Sequence, residues 1–133
     1  MADAVSSQTL VDTDKRTVIK ITNLSDGSGE SAVKKVDVSA LGGAPSRVTI
    51  DQIWYDVGGM RVALEWNAST NVVAVVLGGS AAAGNVQGHM DFRSFGGIKN
   101  NAGSGINGDI DLSTSGHTNL DHYTIVLELR KSY

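Results

Sequence analysis

The stretch that decides the fold is Gln52–Trp66, QIWYDVGGMRVALEW. Two runs that alternate apolar and polar residues flank Gly58-Gly59. A two-residue Gly-Gly link reads as a tight hairpin turn, because glycine tolerates positive φ. That turn sets a register. Val57 faces Met60, Tyr55 faces Val62 and Ile53 faces Leu64 on one side of the ribbon. Asp56 faces Arg61, Trp54 faces Ala63 and Gln52 faces Glu65 on the other. One choice of turn thus predicts an apolar face and an opposite-charge cross-strand pair on its reverse.

Outward from this centre the same period of two recurs. Gln8–Asp12, Arg16–Thr22 and Ala32–Val38 read as strands before it. Asn71–Leu77, Val86–Phe92, Asp109–Thr114 and His122–Lys131 read as strands after it, the last with Tyr123, Ile125, Leu127 and Leu129 inward. Between Arg47 and Val57 the parity slips: Val48 and Ile50 share one face, and Ile53, Tyr55 and Val57 take the other phase. A bulge near Asp51-Gln52, or a crossing between sheets, reconciles them. Breakers fall at Asn23–Ser31, at Leu41–Ser46 with the single proline, Pro45, and at Ser94–Gly108. No window has a helical apolar period. The pattern predicts an all-β fold, an antiparallel β-sandwich of jelly-roll type with about eight or nine short strands.

A chain of 133 residues supports one domain, here 8–133, preceded by a mobile arm at Met1–Ser7. Sixteen glycines against one proline fit many tight turns, and the net charge of −3 is spread without a basic run. Nucleic-acid binding therefore has little support. The absence of cysteine excludes disulfides and thiolate metal sites. The first residues, MADAVSSQTLVD, have neither the basic nor the apolar region of a signal peptide, and the longest apolar run, Val72–Leu77, is too short for a bilayer. Synthesis in the cytosol without export by the usual route, and without a membrane partner, is the expectation.

No stretch reads as an active site. Gly103-Ser-Gly105-Ile-Asn-Gly108 matches G-x-G-x-x-G, but a strand-like run follows it where a dinucleotide site needs a helix. Asp26-Gly-Ser-Gly-Glu30 could offer oxygens to Ca²⁺ but lacks the rest of a ligand loop, so a plain turn is the better reading. Asp109 and Asp111 read as a solvated strand face. His89, His117 and His122 match no zinc spacing and read as turn and surface residues. We expect no enzyme activity, no cofactor and no metal. Trp54 and Trp66 fall on opposite faces, which suits core and interface better than a sugar platform; a glycan module using Trp54 or Tyr55 is the alternative from another class. A small hydrolase using His117, Asp121 or the Asp pairs ranks last.

Three further segments carry a resemblance: TLVDTDKRTVIKITNLSDGSGESAVKKVDVSAL, FGGIKNNAGSGINGDIDLSTSGHT and DHYTIVLELRKSY. With IWYDVGGMRVALEW they make the chain resemble small virion structural proteins of tailed bacteriophages. The resemblance implies a capsid decoration or cement protein, or else a β-sandwich part of the neck, tail or baseplate. Its implied partners are the major capsid protein or other virion proteins and further copies of itself, and its implied location is the virion. Asn71–Leu77, apolar on both parities, suits a strand buried on both faces or one facing a neighbouring subunit. The expected contact residues are Val72, Val73, Val75 and Leu77 on that strand, Phe95 and Ile98 in the long loop, and Trp54.

Overall fold

The computed structural model describes residues 4–26, 29–43, 45–78, 85–101, 103, 107–115 and 119–132. Nine strands follow one another: β1 (Ala4–Asp12), β2 (Arg16–Asp26), β3 (Val33–Val36), β4 (Arg47–Gly58), β5 (Arg61–Trp66), β6 (Val72–Gly78), β7 (Asn85–Asp91), β8 (Ile110–Ser115) and β9 (Asn119–Ser132). The only helical pieces among the described residues are 3₁₀ turns at Val38–Ala40 and Arg93–Phe95. The strands form two antiparallel sheets, ordered β1-β2-β9-β4-β7 and β3-β8-β5-β6.

Those orders make a jelly roll. The pairs are nested, β2 with β9, β3 with β8, β4 with β7 and β5 with β6, so the first strand of the roll meets the last and the innermost pair is the hairpin at its centre. β1 adds a ninth strand at the outer edge of β2, from Ala4 opposite Leu24 to Asp12 opposite Thr17. The chain is therefore already a strand at Ala4, four residues before the expected start, because the β2 edge gives its backbone hydrogen-bond partners. Residues 1–3 of the expected arm lie outside the described residues. β2 likewise runs on to Asp26, into the stretch expected to turn.

The Gly58-Gly59 link corrects the central expectation. β4 pairs with β9 and β7, whereas β5 pairs with β6 and β8, so the two runs belong to different sheets and the link crosses between them. The inferred faces survive the change of topology. Ile53, Val57, Met60, Val62 and Leu64 are all buried, and they meet across the sandwich interior rather than side by side. The Asp56–Arg61 pairing disappears with the hairpin. Gly59 has φ +78°, the left-handed conformation the crossing needs.

The bulge in β4 is where the parity slip placed it. Ile50 lies opposite Leu129 and Gln52 opposite Glu128, which leaves Asp51 as the extra residue. Val48 and Ile50 before it and Ile53 and Val57 after it all enter the core, at 0–1% exposure. Tyr123, Ile125, Leu127 and Leu129 of β9 face them from the same sheet, with Trp66, Ile110 and Leu112 among those opposite. Each such side chain contributes about 1.5–3 kcal/mol of burial. At the end of β9 the ammonium of Lys131, its side chain fully buried, donates to Asp12 Oδ1 at 2.5 Å, Thr13 O at 2.6 Å and Gly42 O at 2.8 Å. This pins β1 and the segment before β4 to the last strand.

Candidate functional site

β6 is one edge of the four-stranded sheet, β3 being the other. Its register against β5 slips at one residue: Leu64 pairs with Val75 and Glu65 with Val73, so Ala74 is extra. The slip divides the apolar run between the two faces. Leu77 faces the core at 2% exposure, and Val75 packs partly against it. Val73 and Val76 turn outward and are 52% and 51% exposed. The strand is thus not buried on both sides as one reading had it. Its inner half is core and its outer half is an exposed apolar strip, beside backbone that pairs with no further strand among the described residues.

Beside the strip, the outer face of this sheet is acidic and internally bonded. The Asp111 Oδ2 accepts from Asn67 Nδ2 at 2.7 Å and Asn71 Nδ2 at 3.0 Å, and Ser113 Oγ donates to Glu65 Oε1 at 3.2 Å. The Asp109 Oδ1 accepts from the Val38 N–H at 3.0 Å, and its Oδ2 lies 2.9 Å from Lys34 Nζ. That contact holds the Lys34 ammonium above its ordinary pKa. Asp109 and Asp111 are each 3% exposed, so the solvated face expected for them is corrected. Their carboxylates staple neighbouring loops to β8, because buried charge needs such partners.

The other sheet presents an aromatic pair. The rings of Trp54 on β4 and His89 on β7, opposite one another in register, stack with centroids 4.8 Å apart and planes 7° apart. The Gln52 Nε2 donates to Glu128 Oε1 at 2.9 Å, which leaves Gln52 Oε1 to accept from His89 Nε2 at 2.8 Å. The imidazole proton is therefore assigned to Nε2. Arg16 Nη1 completes the line, 3.3 Å from Glu128 Oε2. A depression of about 450 Å³ opens beside the pair over Asp56, Gln87, Gly88 and Thr124. One face of the Trp54 indole is taken by His89, which reduces what it could offer to a sugar ring.

The expected contact residues separate by burial. Val73, Trp54 and Phe95 reach solvent, with Phe95 68% exposed and Trp54 37%. Val72 is half-buried. Leu77 belongs to the core, and Ile98, half-buried, forms a bridge with Ile50 and packs on the core edge, so neither is a free contact. The structure scatters the exposed ones. Trp54 is on the five-stranded sheet, Val73 on the β6 edge of the other, and Phe95 on the second 3₁₀ turn. Val76 was missed by the sequence reading, since a bulge inside an apolar run of valines and one alanine leaves no mark in the letters.

Of the Asp26–Glu30 stretch, residues 27 and 28 lie outside the described residues; at Glu30 the cation is a lysine. Lys35 Nζ lies 2.5 Å from Glu30 Oε2, while Tyr123 Oη and Asn23 Nδ2 donate to Oε1 at 2.6 and 2.7 Å. Among the described residues no three His, Asp or Glu side chains gather as a metal site would require. His117 lies outside the described residues, and Trp66 is wholly buried. Comparison with protein-family models, with curated proteins and with solved structures returns no match.

Proposed function

We propose that this chain is a structural protein of a tailed-phage virion, a decoration or cement protein that binds the head lattice and acts by burying surface. The observation that carries the reading is the β6 edge, where Val73 and Val76 face solvent beside backbone that pairs with no further strand among the described residues. Such an edge takes a strand or an apolar ridge from a neighbour, with main-chain hydrogen bonds supplying affinity and side chains supplying fit. The jelly roll also supports it, being an architecture of viral capsid and lectin domains; fold alone assigns no role. The resemblance of the two terminal segments and the long loop to phage structural proteins points the same way.

In this reading the partner is the major capsid protein, or another copy of the chain at a lattice axis. Many weak contacts repeated over the shell hold it there, so avidity replaces a single tight site. The test is Val73→Lys with Val76→Lys. Both positions are more than half exposed, so the fold should be unchanged within about 0.5 kcal/mol per site. Binding to purified heads lacking the protein should fall sharply. Undiminished binding by a folded double variant overturns β6 as the contact.

A further inference from the structure

Where β4 and β9 meet near their Arg47 and Ser132 ends, the outer face of the five-stranded sheet forms a square. Arg47 lies opposite Ser132 and Thr49 opposite Arg130. The Asp51 bulge creates this arrangement: because Val48 and Ile50 are inward before the slip, Arg47 and Thr49 must be outward. The chain after the second 3₁₀ turn then closes over the square. Ile98 exchanges backbone hydrogen bonds with Ile50, at 2.8 and 3.0 Å. Gly97 permits the approach, since its φ is +85° and a Cβ there would lie 2.6 Å from Thr49 Cγ2 and 2.7 Å from Asp51 Oδ1. Arg130 Nη2 ties the same segment down by donating to Gly96 O at 2.5 Å.

The result is a cavity of about 410 Å³ lined by Arg47, Thr49, Lys99, Asn100, Arg130 and Ser132. Three of the six are cations, and among the described residues no Asp or Glu lines it. Asp51 Oδ1 lies 3.7 Å from Arg130 Nη2. Among the described residues neither Arg47 nor Lys99 has an ion-pair partner. This gathering occurs on a chain whose net charge is −3, so it is not a by-product of a basic composition. Thr49 and Asn100, 6% and 8% exposed, add neutral hydrogen-bonding groups among the cations.

We infer that this pocket binds a tetrahedral oxyanion, a phosphate or sulfate group. Like charges brought together repel, and an anion between them removes that repulsion while forming charge-assisted hydrogen bonds. The donors in the lining include the Arg47 guanidinium and the Lys99 ammonium, beside the hydroxyls of Thr49 and Ser132. They exceed what the two oxygens of a carboxylate can accept, and they suit the oxygens of a phosphate approached from several sides. The cavity has room for more than a bare ion, so the group can be carried on a small organic molecule. The inference does not depend on the assembly reading.

The test is a titration followed by amide NMR at constant ionic strength, with sodium phosphate, glycerol phosphate, sodium sulfate, and sodium acetate as control. Phosphate or sulfate should shift the amides of Arg47, Lys99, Asn100 and Ser132 saturably, and acetate should not. Lys99→Ala and Arg47→Ala, both at exposed positions, should each weaken binding roughly tenfold or more, with the remaining spectrum unchanged. Tighter binding of glycerol phosphate than of phosphate assigns an organic ester as ligand, and equal binding assigns the free ion. Shifts that never saturate, that acetate reproduces, or that both variants retain overturn the proposal.

Discussion

The two links that flank β5 make opposite choices. At 58–60 the chain leaves one sheet and enters the other, so β4 and β5 share no hydrogen bonds. At 67–71 it turns back within one sheet, and β5 pairs with β6. By letters the first link looks the better hairpin, with its Gly-Gly pair, and the second the looser loop. The second is held by side chains: Asn71 Oδ1 accepts from the Ala68 N–H at 3.2 Å, and Asn67 and Asn71 both donate to Asp111 on β8. The first is held by its surroundings: Gly59 lies against Asp121 of β9, and Met60 is buried. The contrast teaches that a turn's own residues permit a reversal, while the strands waiting on either side decide what it joins.

The largest effect that would sharpen this comparison is at Trp66, where β5 ends and the hairpin begins. Trp66→Ala removes a fully buried indole and should lower stability by about 3–5 kcal/mol, read from the urea midpoint. A change near zero would mean that the hairpin side of β5 is not core. Gly59→Ala comes next, at about 1–3 kcal/mol, since the positive φ is strained for alanine and its Cβ would meet the Asp121 carboxylate. Ser69→Ala, exposed in the other link, should stay within about 0.5 kcal/mol. Equal tolerance at the two sites would erase the distinction between them. Asn71→Ala should cost about 1 kcal/mol, because the Ala68 N–H and the Asp111 carboxylate each lose a partner.

The smallest effect is a control outside both links. The Lys131 ammonium, with the Gly42 N–H behind it, holds the Asp12 carboxyl below its ordinary value of 3.8. A carboxyl lowered by folding stabilises fully above its unfolded pKa, and that contribution is lost as pH falls through the folded one. Below about pH 4 the urea midpoint of the natural chain should therefore fall more steeply than that of Asp12→Asn. Parallel slopes would show that the contact carries no pH dependence.

What the letters revealed and what they hid follow one physical line. Period-two alternation tells which side chains point in: it placed Ile53, Leu64, Tyr123 and Leu129 in the core, and its slip offered a bulge near Asp51-Gln52 or a crossing between sheets, of which the structure has the bulge, at Asp51. It carries nothing about neighbours, because a side chain inside a sandwich is equally satisfied by the strand beside it or the sheet opposite. So the β4–β5 pairing was inferred from the wrong partner while its inward residues were right. Asp109 and Asp111 looked solvated because their partners, Lys34, Asn67 and Asn71, come from distant segments. The basic pocket was hidden for the same reason, its cations being spread over residues 47, 99 and 130.

The measurement that bears most directly on the proposed assembly role is copy number: if the chain is a virion protein, its amount relative to the major capsid protein in purified particles. A decoration protein held by avidity should be present in amounts comparable with the shell subunit. Its absence from the particles would contradict the account.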